Sequence, residues 1–298
     1  MDHNVSIILP TFNEEDCLES LIGRIRAVNP DWEIIVADDA STDRSAEVAT
    51  RCGATVVRHT YNLGNGAAVR TGAAAASRDT LVFMDADGQH PPEIIPRLLE
   101  SMRGYDMLVA SRTRESTTRR FRNFGNAMLR MVASRLSGWD IPDLTSGFRV
   151  VRRECFFEFA HLFPLRYSYP TTITMAMLCS GRFVRFEAAP EITSRKAGES
   201  NIHPLRDGLR FLKIIVRIVM LFHPARIFLP LASTIFGLGV VSALLQLYFT
   251  GGIHNLSLFL LQTGVITFLV ALISEQISML RISHRSWGRR KDASGDDA

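Results

Sequence analysis

The sequence predicts an α/β domain built on a mainly parallel sheet, followed by an amphipathic helical segment and a hairpin of two membrane-length helices. Up to about residue 112, short β-branched or apolar runs alternate with Ala-rich or charged stretches of helical character. Near-continuous apolar strands separated by helices mark a parallel sheet covered on both faces. The hairpin rests on residues 227–249 and 256–274, which are 23 and 19 residues long without a charge. Both lengths match a hydrocarbon core of about 30 Å.

The elements follow in order. VSIIL (5–9) is the first strand, and a helix is expected over 14–28, with Asn13 as its N-cap and Asp16 as the acidic partner three positions on. EIIVA (33–37) is the second strand; the turn ADDASTDRS then leads into a helix over 45–51. TVVRH (55–59) precedes NLGNG and an Ala-rich helix over 67–77. TLVFM (80–84) runs directly into DADGQHPP, whose two prolines stiffen the entry to a helix over 93–102, and DMLVA (106–110) is the fifth strand. In such sheets ligands collect at the carboxyl ends of the strands, where the aspartates of DAD fall.

The connection TGGIHN between the apolar spans has no Lys or Arg. Lys213, Arg217 and Arg226 precede the first span, and Arg281, Arg285, Arg289, Arg290 and Lys291 follow the second. Positive-inside bias assigns the first domain and both termini to the cytoplasm of a multi-pass cell-membrane protein. Arg206, Arg210, Lys213 and Arg217 recur at three- or four-residue spacing among Leu, Phe and Ile, the pattern of a helix lying on an anionic bilayer surface. The expected division is 1–202 for the α/β domain, 203–226 for the juxtamembrane segment, 227–280 for the spans (about 227–249 and 256–278) and 281–298 for a basic tail, disordered from about 288. A buried helical hairpin in a soluble protein is the competing reading.

Composition narrows the class. With 34 Lys and Arg against 30 Asp and Glu, the net charge is +4, so the placement of charge matters more than its sum. The four cysteines are dispersed with no CxxC pair and no histidine at ligand spacing, which argues for reduced thiols and against a disulfide framework or zinc site. The first apolar run is too short for a signal peptide.

Several motifs carry candidate chemistry. Asp38 and Asp39 can accept from a ribose or a base edge, or cap an ordinary turn. Asp85 and Asp87, two apart at a strand end, would point the same way in extended backbone and offer hard oxygens to a divalent cation that keeps a diphosphate in its shell. Between residues 112 and 135 lie seven arginines and the single acid Glu115, suited to gripping phosphate oxygens, although part of such a run is usually a solvated helix face. Nucleic acid is disfavoured as a partner by the membrane hairpin. DLTSGFR (143–149) places an acid, two hydroxyls, a glycine and an arginine in a loop, and SRKAGESN (194–201) puts Arg195 and Lys196 on a segment able to close over a diphosphate. Gly64 and Gly66 suggest a dinucleotide fingerprint, but Val69 takes the place of its third glycine and no acid follows at ribose distance.

Taken in order, TFNEE, DDASTD, NLGNGAAVRTG, MDADGQHPPE, ASR, DLTSGFR and RKAGES resemble family 2 glycosyltransferases, and more narrowly the polyprenyl-phosphate hexose synthases related to dolichyl-phosphate mannose synthase. The resemblance covers roughly residues 5–201, and the hairpin is similar to that of bacterial polyprenyl-phosphate glucosyltransferases. It implies a GT-A fold (Rossmann-like), a nucleotide-sugar donor with UDP-hexose favoured over GDP-mannose, Mg2+ or Mn2+, a polyprenyl phosphate acceptor, and room for a homo-oligomer. By motif, Pro10, Phe12, Glu14 and Asp39 would line the nucleotide, and Asp85, Ala86, Asp87 and Gln89 would hold metal and diphosphate, with Asp87 and Gln89 as the metal ligands. Arg112, Arg195 and Lys196 would neutralise phosphate charge, Arg122 and Asn126 would take the acceptor phosphate, and Asp143 would act as base or orienting group. The sequence departs from the family pattern at Asn201, where a lysine is common, and at Asn126, where a serine is expected. A QxxRW motif is missing, which argues against a processive polysaccharide synthase. Transfer to another lipid or glycan, and a non-catalytic nucleotide-sensing scaffold, are the alternatives.

Overall fold

A computed structural model describes residues 4–111, 120–165, 168–192, 204–252 and 254–293, with the side chains of 120–127, 204–207, 250 and 281–293 outside that description. The chain divides into two units, Met1–Ile215 and Val216–Ala298.

The first unit holds a seven-stranded sheet of order β3-β2-β1-β4-β6-β5-β7. Its strands are β1 (Val5–Thr11), β2 (Glu33–Asp38), β3 (Thr55–Arg58), β4 (Thr80–Phe83), β5 (Met107–Ser111), β6 (Arg149–Arg152) and β7 (Val184–Ala188). The five expected strands are all present, joined by β6 and β7. Six strands run parallel, and β6 runs antiparallel between β4 and β5. The helices are α1 (Glu15–Val28), α2 (Ser45–Arg51), α3 (Asn65–Ala75), α4 (Ile95–Ser101) after one 3-10 turn at Pro92–Ile94, α5 (Arg120–Ser137), α6 (Arg153–Phe159) and α7 (Tyr169–Cys179).

Period two along each strand sorts the core into two layers. Val5, Ile7 and Leu9 of β1 pack with Leu18, Leu21, Ile22 and Ile25 of α1 and with Ile95 and Leu98 of α4. Each such fully buried side chain contributes about 1.5–3 kcal/mol. Ile8 points the other way onto α3, where a Cβ on Gly72 would lie 2.7 Å from its Cγ2. Phe83, in register with Ile8, stacks on Phe156 of α6 at 4.9 Å and tilts against Tyr169 of α7. At β6, Val150 and the preceding Phe148 belong to the α1 layer, whereas Arg149 pairs with Phe83 in register and faces α7.

Pro10 is tolerated in the central strand because β4 has left the ladder there. Ile8 O accepts the Met84 N–H; Pro10 faces the same side two residues on, where no partner strand needs its missing donor.

Helix α8 (Pro204–Phe222) carries exposed Arg210, Lys213 and Arg217 and buried Ile215, Ile218 and Val219. In the second unit, α9 (Ala225–Thr250) and α10 (Asn255–Ala293) are joined by a short turn at Gly251. Their most apolar windows have mean hydropathy 2.1 and 2.3 yet are only 11% and 17% buried, long and apolar enough to cross a membrane. Small residues bring the helices close: a Cβ on Gly264 would meet Phe236 at 2.8 Å. Gln246 Oε1 ties the turn, accepting the His254 N–H and the Ser257 hydroxyl, each at 2.8 Å. At the other end Glu275 accepts the Ala225 N–H at 3.0 Å, and Ser278 donates to the Phe222 carbonyl. Helix α10 has 39 residues, about 58 Å, and continues to Ala293 where a disordered tail was expected from 288.

Candidate active site

Loops at the carboxyl ends of β1, β2 and β4 meet loops from β3 and β6. The first two are laced together by side chains. Asn13, Glu14 and Glu15 donate their N–H groups to Ser41 Oγ (3.0 Å), Ser45 Oγ (2.9 Å) and Asp43 Oδ2 (3.1 Å). Two of these belong to the orphan donors at the start of α1. The helix is therefore capped from the DDASTD loop, and the expected Asn13 cap is corrected: Asn13 has φ of 55° and uses Oδ1 to accept from Thr42 N–H at 2.8 Å. Burial alone would raise the Asp43 carboxyl, but hydrogen bonds from Ser45 and the Glu15 N–H outweigh it and hold it below the usual range. Beside this lock Phe12 is 46% exposed. Pro10 and Glu14 are partly exposed on the same edge.

Asp38 is fully buried, accepting the Ser41 N–H and facing Arg58 Nε at 3.0 Å. Asp39 is held from the next loop. Its Oδ1 accepts from His59 Nδ1 and from the Leu63 N–H, both at 2.8 Å, and its Oδ2 accepts the Gly64 N–H at 2.7 Å. The glycines of NLGNG thus serve packing: Gly64 delivers an N–H to Asp39, and a Cβ on Gly66 would lie 2.0 Å from the Pro164 carbonyl oxygen.

Strand β4 stops at Phe83, so Asp85 and Asp87 lie in the following turn and not in extended backbone. The two carboxylates have different surroundings. Asp87 accepts the Gln89 N–H at 3.1 Å and the Gln89 side-chain amide, so these residues form one oxygen-rich unit. Asp85 donates its N–H to His90 Nδ1 at 2.9 Å, which leaves the ring proton on Nε2, 3.8 Å from Asp85 Oδ2. His90 stacks on Phe148 with centroids 5.0 Å apart. Ala86 between them is buried.

DLTSGFR closes over Asp85. A Cβ on Gly147 would lie 2.8 Å from Asp85 Oδ2 and 3.0 Å from Oδ1, so only glycine leaves room for the carboxylate. The loop is shaped by Asp143, whose Oδ1 accepts from the Thr145 N–H and hydroxyl and the Ser146 N–H at 2.9 to 3.1 Å. Arg149 begins β6 and is fully buried, donating to the Ser146 and Pro170 carbonyls and to Thr174 Oγ1, with Tyr169 beneath at 5.5 Å. Burial pulls its pKa down, opposed by Tyr169, Asp143 and Asp85. Tyr169 donates to the Gly147 carbonyl at 3.2 Å. The site thus has a buried guanidinium within electrostatic reach of Asp85 and Asp143.

Of the expected residues, Asp85, Ala86, Asp87, Gln89 and Asp143 come together, with Pro10, Phe12, Glu14 and Asp39 along the neighbouring strand ends. Arg112, Arg195 and Lys196 lie outside the described residues, and Arg122 and Asn126 fall on α5 with side chains outside the description. Sequence reasoning gave no role to His59, Thr71 or His90, and it singled out Gly147 and Arg149 only as the glycine and arginine of the DLTSGFR loop.

Among the described residues no group of three or more His, Cys, Asp or Glu is arranged to hold a metal unaided. Two carboxylates and an amide oxygen nonetheless fit a hard divalent cation that takes its other oxygens from water and phosphate. Burial pushes Cys155 up to about 12, so it offers no thiolate nucleophile.

Comparison with known proteins agrees with this architecture. Residues 6–158 match the model of glycosyl transferase family 2, and residues 223–280 match the GtrB C-terminal hairpin. The chain is 35% identical over 161 residues to the undecaprenyl-phosphate 4-deoxy-4-formamido-L-arabinose transferase of Pectobacterium carotovorum, covering 50% of this chain and 49% of that one. It therefore spans about half the length of that relative. It is 34% identical over 215 residues to the dolichol-phosphate mannosyltransferase of Pyrococcus furiosus, covering 66% and 59%. The glucosyl-3-phosphoglycerate synthase of Mycobacterium tuberculosis, solved in complex with Mn2+ and uridine-diphosphate-glucose, superposes with a TM-score of 0.58 at 21% identity, covering 72% of this chain and 79% of that one. The GT-A-like sheet is shared with that enzyme, and the chain belongs to glycosyltransferase family 2.

Proposed function

We propose that the protein is a membrane-anchored transferase that moves a hexose from a nucleoside-diphosphate sugar to a polyprenyl phosphate on the cytoplasmic face. The observation that carries this reading is the packing of Gly147 on the Asp85 carboxylate, which joins the DAD turn and the DLTSGFR loop into one acidic site, in a chain that also has two membrane-length helices. The relatives named for undecaprenyl-phosphate and dolichol-phosphate transfer support the acceptor class. UDP-hexose is the favoured donor.

A Mg2+ or Mn2+ ion held by Asp87 and Gln89 would supply countercharge to the departing diphosphate. Asp85, its N–H on His90 and its carboxylate packed against Gly147, shapes the donor side, with Ala86 against the diphosphate. Pro10, Phe12, Glu14 and Asp39 line the nucleoside, with Phe12 free to stack on a base. Arg112, Arg195 and Lys196 offset phosphate charge, and Arg122 with Asn126 take the acceptor phosphate. A phosphate monoester is largely ionised near pH 7, so the acceptor oxygen needs no general base. In-line attack on the anomeric carbon inverts its configuration. Asp143 then serves as an orienting group, in keeping with three donors already on its Oδ1.

The experiment supplies purified full-length protein in detergent with Mn2+, undecaprenyl phosphate and labelled UDP-glucose, UDP-galactose or GDP-mannose. A lipid-soluble, acid-labile product is expected from one donor and is lost in Asp87→Ala or excess chelator. Label reaching only another lipid or a glycan would reassign the acceptor, and no transfer from any donor would sink the proposal.

A further inference from the structure

We propose that His59, held by Thr71, sets the hydrogen-bonding capacity of Asp39 and thereby selects a uracil-type base in the donor. This rests on the donor site proposed above and names the base class it takes.

A carboxylate offers about four acceptor positions. In Asp39 three are filled: Oδ1 by His59 Nδ1 and the Leu63 N–H, and Oδ2 by the Gly64 N–H. The ring of His59 is fixed at its other end, with Nε2 at 2.8 Å from Thr71 Oγ1 on α3. A carboxylate accepts and does not donate, so a ring proton sits on Nδ1, and Nε2 pairs with the Thr71 hydroxyl. The chain Thr71–His59–Asp39 is nearly buried, the Asp39 side chain keeping 4% of its surface exposed. Asp39 is anchored beside β1 by its own N–H to the carbonyl of Thr11 at 2.9 Å, the residue before the exposed Phe12.

One acceptor position on Oδ2 is therefore left for a ligand. Uracil presents a single ring N–H between two carbonyl oxygens, and a second free carboxylate oxygen would repel one of them. Guanine presents a ring N–H beside an exocyclic amino group and is matched by two free carboxylate oxygens. Cytosine and adenine present no ring N–H on that edge. Sites built to pair a specific polar group reject ligands that leave it unpaired, so the saturated Asp39 favours uracil. Without His59, Oδ1 regains an open position and guanine becomes the better match.

The test is calorimetric titration of the full-length protein with UDP and GDP in Mn2+. The wild type should bind UDP at least tenfold more tightly than GDP. His59→Phe should narrow that ratio about tenfold, mostly by gaining GDP affinity. Thr71→Val, a smaller change that spares folding should His59→Phe fail to fold, should narrow it severalfold, while Thr71→Ser should restore the wild-type ratio. A wild type that prefers GDP, or a ratio unmoved in folded His59→Phe and Thr71→Val, overturns the inference and leaves the transferase reading standing. Binding of neither nucleotide would remove both.

Discussion

Replacing Gly147 by alanine tests the contact that joins the two halves of the site. The new Cβ would stand 2.8 and 3.0 Å from the Asp85 carboxylate oxygens and 3.2 Å from Cγ. Ordinary carbon–oxygen contacts lie at about 3.3–3.6 Å, so the carboxylate or the loop must move by roughly 0.5 Å or more. The loop resists: Asp143, Tyr169 and Arg149 all hold it. Among the described residues Asp85 is tied through its backbone N–H and the distant His90 ring edge alone, so the carboxylate gives way. Overpacking of this kind costs about 1–3 kcal/mol, and displacement of a positioned group by about 1 Å costs on the order of a hundredfold in rate. Gly147→Ala should therefore fold with a modestly lower Tm, bind Mn2+ in the presence of UDP more weakly, and lose about ten- to a hundredfold in kcat of sugar transfer. Initial rates, Mn2+ resonance titration and thermal unfolding on one preparation read all three. A folded variant with transfer and Mn2+ binding both within twofold of wild type would refute the packing argument.

Gly66→Ala places a Cβ 2.0 Å from a backbone oxygen, and thermal unfolding should show it among the most damaging single changes, at about 3 kcal/mol. Gly23→Ala, in the middle of α1 with nothing within 4 Å of the added Cβ, should instead stabilise by about 0.5–1 kcal/mol. Asp43→Ala removes the acceptor of the Glu15 and Ser45 N–H groups and should cost about 1 kcal/mol by denaturant titration. Because the Asp43 pKa is lowered on folding from 3.8, its contribution is complete above that value and lost as pH falls through the folded one, so Asp43→Asn should flatten the acid limb below about pH 4.

The strand–helix alternation of the first 111 residues was legible because parallel strands buried on both faces read as continuous apolar runs. β6 was hidden by its composition: RVVR is four residues with an arginine at each end, and nothing local says that the first arginine is buried against α7 while the last is exposed. β7, VRFEA, alternates charge with apolar residues at the sheet edge, where one partner strand suffices. The acids of the site were legible as motifs, but their partners were not. His59 meets Asp39 across 20 residues and Thr71 across 12, and Gly147 meets Asp85 across 62 residues of chain. Such pairings are set by strand order, which no window of sequence contains. The Asn13 cap failed for the same reason, since the acceptors that cap α1 come from a loop 28 to 31 residues away.

The reversed strand explains why the motifs converge. Loops at the carboxyl ends of parallel strands share one edge of the sheet, so TFNEE, DDASTD and DADGQ meet there by topology alone. DLTSG precedes β6, and a strand parallel to its neighbours would carry its preceding loop to the opposite edge. Because β6 runs antiparallel between β4 and β5, its entry loop arrives at the edge where β4 ends, and the Phe83–Arg149 register places Gly147 two residues before that pair, against Asp85 two residues beyond it. The symmetry of that spacing makes register the controlling variable. A slip of one residue in β6 would exchange Phe148 and Arg149 between layers, sending a guanidinium into the α1 core and withdrawing the glycine from the carboxylate. Arg149 guards against this slip. Its donors reach Ser146, Pro170 and Thr174 together only from the α7 side of the sheet, so a buried cation with no carboxylate in hydrogen-bonding contact among the described residues is retained for register, and with it the position of the acidic site.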